Sequence, residues 1–145
     1  MAKGLATLIR VNKWGVDEKR RELGVRLKEL ESLENALVNL AEELKHEQHT
    51  ANQFPETAGF FYGNYADAVI QRRTELQNSI AAKEEEISIA REQLGEAYRS
   101  LKKYEVVYQN QQRQAANDLA RMDQLELDEL GQQSRSFRER WQPEK

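Results

Sequence analysis

The sequence predicts an all-α fold, a long two-helix antiparallel coiled-coil hairpin with unequal arms. Three observations carry this. A heptad ladder occupies the second half of the chain: Ile80, Ile87, Leu94, Leu101, Tyr108, Ala115 and Met122 recur every seven residues, and Leu76, Lys83, Ala90, Ala97, Tyr104, Gln111 and Asp118 fill the companion row. Two such rows keep one seam turned toward a partner helix. A second, shorter ladder occupies the first third, with Val16, Leu23, Leu30, Leu37 and Leu44 in one row. Between the two lies one convincing break, around Phe54, Pro55 and Gly59.

The first helix is expected over about residues 5–51. Leu27, Leu33, Leu40 and Ala41 widen its apolar stripe, and Glu, Lys and Arg fill the opposite face, as a helix packed on one side requires. Pro55 lacks a backbone donor and disfavours helix at Phe54, while Gly59 and Gly63 loosen the segment after it. A turn is expected over about residues 52–59, at the upper end of usual helix–helix connections. The second helix is expected over about 60–130, with a frayed tail at 131–145. At 1.5 Å per residue the arms are roughly 70 and roughly 100 Å long. The whole chain, 1–145, forms a single hairpin. A short turn makes the helices antiparallel. Centring it near Glu56 sets Leu44 opposite Val69, Leu37 opposite Leu76 and Leu23 opposite Ala90. Residues beyond about Gln111 then have no partner within the chain.

Composition limits the function. Of 145 residues, 39% are hydrophobic and 32% charged, too polar for a thick core and too regular for disorder. The chain has no cysteine, which excludes disulfides and thiolate metal sites and is compatible with a reducing compartment. It has no apolar run of membrane-spanning length and no signal-peptide pattern, so cytoplasmic residence is expected. The net charge of −3 is unevenly spread. Residues 1–30 carry eight basic and four acidic groups, whereas residues 31–90 carry four basic and eleven acidic ones. Folded as a hairpin, the chain has a basic base and an acidic tip, a field able to orient approaching partners.

Gly15 and Gly95 fall at nearly the same height on this hairpin, with Gly24 close by, which suggests either a bendable zone or a close approach of the helices beside Ala90 and Ala97. No nucleotide loop, dinucleotide fingerprint or nucleophile elbow is present, and adjacent carboxylates such as Glu84, Glu85 and Glu86 belong to a solvated face, so no enzyme activity and no cofactor are expected. His46 and His49, with Glu42 and Glu43 a turn earlier, lack the further ligands a metal site needs. Arg10, Lys13, Trp14, Lys19, Arg20 and Arg21 form a basic cluster, but Asp17, Glu18 and Glu22 interleave with it, which argues against nucleic acid. Direct membrane insertion is not expected either. Phe54, Phe60, Phe61, Tyr62 and Tyr65 gather at the turn, where they plug the end of the seam, offer a docking patch, or both. Met122, Leu125, Leu127 and Leu130 are apolar residues on the unpaired end of the second helix, a surface that invites a partner.

The chain resembles the FliJ family, the small coiled-coil component of the bacterial flagellar type III export apparatus. The likeness rests on length, on two unequal antiparallel helices, and on three stretches. These are Leu5, Ala6, Thr7, Leu8, Ile9 and Arg10 followed by Val16, Asp17, Glu18, Lys19 and Arg20; then Leu101, Lys102, Lys103, Tyr104 and Glu105; then Leu125, Glu126, Leu127, Asp128 and Glu129. The resemblance implies a non-enzymatic stalk, similar to the central subunit of rotary ATPases. Such a stalk binds and stimulates the hexameric export ATPase, contacts the membrane export gate, and escorts export chaperones at the cytoplasmic face of the apparatus. On that reading Arg10, Lys13, Trp14, Arg20, Met122, Leu125, Leu127 and Leu130 meet the ATPase ring, and the five aromatics at the tip meet the gate or another partner. A stalk of the related virulence-type secretion systems has the same sequence character. A structural coiled-coil tether, or an adaptor recruiting a helical partner, are the alternatives. The sequence permits a monomer or a dimer.

Overall fold

The computed structural model describes the backbone of residues 2–53 and 55–141, and the side chains of residues 3–53 and 62–141. It contains two helices, α1 (Ala2–Gln53) and α2 (Pro55–Arg140). No strand occurs among the described residues. The two helices pack against each other, as the paired ladders predict.

The helices are longer than their sequence patterns suggest. Asn52 and Gln53 still belong to α1, and α2 begins at Pro55 rather than near residue 60. Proline suits that place, because the first residue of a helix has no intrahelical use for its N–H and needs the φ that the ring already fixes. Phe54 itself lies outside the described residues. At the other end α2 runs on to Arg140, through the segment expected to fray; residues 142–145 lie outside the described residues. Gly131 alone, with no proline near it, is a weak stop signal, since an interior glycine costs only about 1 kcal/mol against alanine. Arg138 and Arg140 in the last turn complement the negative end of the helix dipole.

The chain divides into two compact units, residues 11–100 and residues 1–10 with 101–145. In the first unit the seam is the one the ladders specify. Val16, Val69, Leu76, Ile87 and Ala90 are buried, and Ile80, Lys83, Leu94 and Ala97 are half-buried between or beside them. Leu23, Leu30, Leu33, Leu37, Leu40 and Leu44 of α1 are half-buried as well. Leu27 and Ala41, expected to widen the stripe, are exposed, because a single partner helix covers only a narrow face. The antiparallel register is visible in charges that cross the seam: Glu29 pairs with Lys83, and Arg26 approaches Glu86. Three steps down α1 correspond to three steps up α2, as in a hairpin centred near residue 56.

In the second unit Leu101 is buried, and Leu5, Ala6, Ile9, Tyr104 and Tyr108 are half-buried. Beyond that level burial ends, and every residue from 111 to 140 is exposed.

The glycines expected to mark a hinge or a close approach show no close approach. A Cβ placed on Gly15 or Gly24 meets nothing within 4 Å, and one placed on Gly95 meets the flexible end of the Arg99 side chain at 3.3 Å. None of the three has a positive φ. Gly15→Ala and Gly24→Ala are therefore each expected to stabilise the helix by about 0.5–1 kcal/mol, read as a raised thermal midpoint in circular dichroism. A fall in the midpoint would show that the helices need to approach more closely at that level. In the seam, Ile87→Ala is expected to cost about 2–5 kcal/mol, whereas Leu125→Ala changes stability by less than about 0.5 kcal/mol, both measured by urea unfolding.

Candidate functional site

Lys83 places a charge in the seam. It occupies the companion row of the heptad ladder, where an apolar residue would pack best, and its side chain is 19% exposed. Two carboxylates hold its ammonium: Glu29 across the seam, and Glu86 one turn along α2 at 2.8 Å. Arg26 stands 4.0 Å from Glu86 on the far side, which completes a four-residue network joining the helices. Hydrogen bonds to Glu29 and Glu86 raise the pKa of Lys83, against a smaller opposing effect of burial. The hydrogen bond and the charge of Lys83 hold the Glu86 carboxyl below its ordinary value. A charged group at one core position of a coiled coil fixes register at some cost in stability. The network is a structural feature rather than a reactive one.

Tyr62 and Tyr65 are the tip aromatics whose side chains are described, and both are half-buried. Burial, then the carboxylates of Glu43 and Glu47 on α1, then Tyr62, push the Tyr65 phenol above its ordinary pKa. Tyr65 thus sits against the end of α1 while part of its ring faces solvent. The other three tip residues, Phe54, Phe60 and Phe61, lie outside the residues whose side chains are described. His49 shares a 3.2 Å contact with Gln53, and no cluster of metal-ligating side chains exists among the described residues.

The positions expected to form a ring contact fall in both units. Arg10, Met122, Leu125, Leu127 and Leu130 belong to one; Lys13, Trp14 and Arg20 belong to the other. All are exposed. Arg20 lies 3.9 Å from Asp17, a long and solvated pair. Trp14 is 67% exposed, unusual for an indole on a helix that is packed on one side.

The apolar face of the free part of α2 is not the set that the sequence singles out. At about 100° per residue, Leu125 and Leu127 lie about 200° apart, on opposite flanks of the helix. The apolar stripe instead joins Ala115, Leu119, Met122, Leu130, Phe137 and Trp141, interrupted by Asp123 and Glu126, and continues the face that carries Leu101 and Tyr108. Leu119, Met122, Leu130, Phe137 and Trp141 are each about three-fifths exposed or more. The Phe137 and Trp141 rings meet obliquely one turn apart, with centroids 5.9 Å apart. Leu119 and Trp141 were legible through a spacing other than the heptad: Tyr108, Leu119, Leu130 and Trp141 recur every eleven residues.

Two long amphipathic helices paired along a heptad seam define a two-helix coiled-coil hairpin. The family described as "Flagellar FliJ protein" matches residues 1–140. Flagellar FliJ proteins of two Caulobacter vibrioides strains, NA1000 / CB15N and ATCC 19089 / CIP 103742 / CB 15, are each 28% identical over 130 residues, which cover 90% of this chain and 93% of theirs. No solved structure matches the chain. The chain belongs to the FliJ family, a family of non-catalytic components of the flagellar export apparatus. Among its described residues no helix is long and apolar enough to cross a membrane.

The Lys83 network makes stability depend on pH at both extremes. Glu86 has a folded pKa below its ordinary 4.5, so its contribution is present above that value and is lost as acid titrates the folded carboxylate. Lys83 has a folded pKa above 10.5, so its contribution is present below that value and is lost as pH rises through the folded pKa. Lys83→Met is expected to remove the part of both limbs owed to this pair and to leave mid-pH stability unchanged or higher, followed as the urea midpoint against pH. An unaltered pH profile in the variant would show that Lys83 is not coupled to Glu86.

Proposed function

We propose that this chain is the stalk of the flagellar export ATPase: it binds the hexameric ring, stimulates hydrolysis, and contacts the membrane export gate from the cytoplasmic face. One observation supports this reading above others. The apolar face of α2 continues past the last buried residue of the seam, and all of residues 111–140 are open to solvent. A row of exposed large apolar residues of that length supports an interaction surface, even with Asp123 and Glu126 set into it. Met122 and Leu130 on the stripe, Leu125 and Leu127 on its flanks, and the exposed Arg10, Lys13, Trp14 and Arg20 are the residues proposed to meet the ring. The tip aromatics Phe54, Phe60, Phe61, Tyr62 and Tyr65 are proposed to meet the gate or an export chaperone; the half-buried Tyr62 and Tyr65 leave part of each ring free for this.

Chemistry in this reading belongs to the ATPase. The stalk acts by presenting an apolar helix to subunits that otherwise assemble weakly, which raises the population of the ring by mass action. A structural tether or an adaptor that recruits a helical partner would use the same surface without affecting hydrolysis.

Steady-state ATP hydrolysis by the cognate export ATPase, near its assembly threshold, separates these readings. The full chain is expected to raise the rate. A chain ending at Gln111 is expected to return it to the basal level while the remaining hairpin keeps its helical circular dichroism. Stimulation by the shortened chain would overturn the assignment of the ring contact, and no stimulation by the full chain would favour the tether.

A further inference from the structure

The free stripe of α2 differs from the seam in period as well as in exposure. The seam repeats every seven residues, which requires a partner wound left-handed around it. The stripe repeats every eleven, through Tyr108, Leu119, Leu130 and Trp141, at about 3.67 residues per turn, a period suited to a straight or slightly right-handed pairing. A helix that covers it along its length must carry the same period. Helix α1 carries a heptad pattern and does not qualify. Residues 108–141 of a second copy carry the eleven-residue pattern.

Charge selects the orientation. Asp123 and Glu126 interrupt the stripe between Met122 and Leu130, and Arg138 borders it about two turns beyond Leu130. Parallel pairing of two copies would set Asp123 against Asp123 and Glu126 against Glu126 within the contact, a like-charge juxtaposition that disfavours association. Antiparallel pairing with Leu130 on the twofold axis removes both clashes. It sets Leu119 opposite Trp141 of the second copy, and it brings Arg138 opposite Met122 of the second copy, one residue from Asp123. Such a contact is isologous, so every pairing occurs twice.

We infer that two copies of this chain associate antiparallel through the stripe centred on Leu130. The association involves the chain alone and stands apart from the ATPase reading; in the presence of the ring, the two compete for the same face.

The full chain, free of cysteine, allows a clean test. Light scattering over a dilution series is expected to show a reversible monomer–dimer equilibrium. The pair Leu119→Glu and Leu130→Glu is expected to give a monomer at every concentration with unchanged helical content. D123R and R138D are each expected to weaken dimerisation about tenfold or more, an energy of about 1.4 kcal/mol, and the double variant to restore it. Leu130→Cys is expected to cross-link with itself on oxidation; Leu119→Cys is expected to cross-link only when mixed with Trp141→Cys. A wild-type chain that stays monomeric throughout the series overturns the inference, and so does self-cross-linking at both 119 and 130, the signature of a parallel pair. Because no ATPase is present, these outcomes are independent of whether the chain stimulates hydrolysis.

Discussion

The structure depends on one constraint: an apolar seam on a long helix has to be covered, and α1 is too short to cover it all. Helix α1 has 52 residues and α2 has 86. Antiparallel packing lets α1 bury the seam of α2 only up to the level of Leu101, Tyr104 and Tyr108. Most of the stability of such a helix pair comes from the buried stripe rather than from helix propensity. The paired part therefore owes its order to Val16, Val69, Leu76, Ile87, Ala90 and Leu101. The remainder of α2 buries no such stripe within the chain and rests on intrinsic helix propensity.

Within the seam, Lys83 shows why coverage alone is insufficient. A ladder of leucines and isoleucines tolerates slippage by a heptad, because each apolar residue would find another apolar residue. A lysine in the core row tolerates it poorly. In the observed register its ammonium finds Glu29 across the seam and Glu86 beside it. A slip by one heptad toward the tip would set Ala36 in place of Glu29 and Leu33 in place of Arg26, leaving Lys83 and Glu86 without partners across the seam. The opposite slip would offer Glu22 and Lys19, which could replace the network. That slip is opposed by the connection: α1 ends at Gln53 and α2 begins at Pro55, which leaves no slack for a shift of seven residues.

Much of this was legible in the sequence. The heptad rows name the positions that are buried or half-buried from Leu76 to Tyr108, and a turn centred near Glu56 gives the register that the Glu29–Lys83 and Arg26–Glu86 pairs display. Helix ends were less legible, because Pro55 reads as a breaker when it also serves as a first helical residue. The free stripe was legible only in part. Ala115 and Met122 lie on the heptad rows and on the stripe alike, so a heptad extended past Tyr108 continues to fit for two repeats. It then points to Leu125 and Glu129 in place of Leu130 and Phe137.

The two surfaces of α2 differ in how firmly they bind. The seam closes within one chain, so α1 meets it at the high effective concentration that a short connection provides. The stripe has no such advantage, and any partner must come from solution and lose its own translational and rotational freedom. Asp123 and Glu126 within the stripe weaken it further, since each must be desolvated or paired when the face is covered. The hairpin is accordingly closed within the chain, and the proposed contacts at the end of α2 would be the exchangeable ones. The proposed role needs both kinds of surface, and a single continuous helix supplies them by changing the period of its apolar face where its intrachain partner ends.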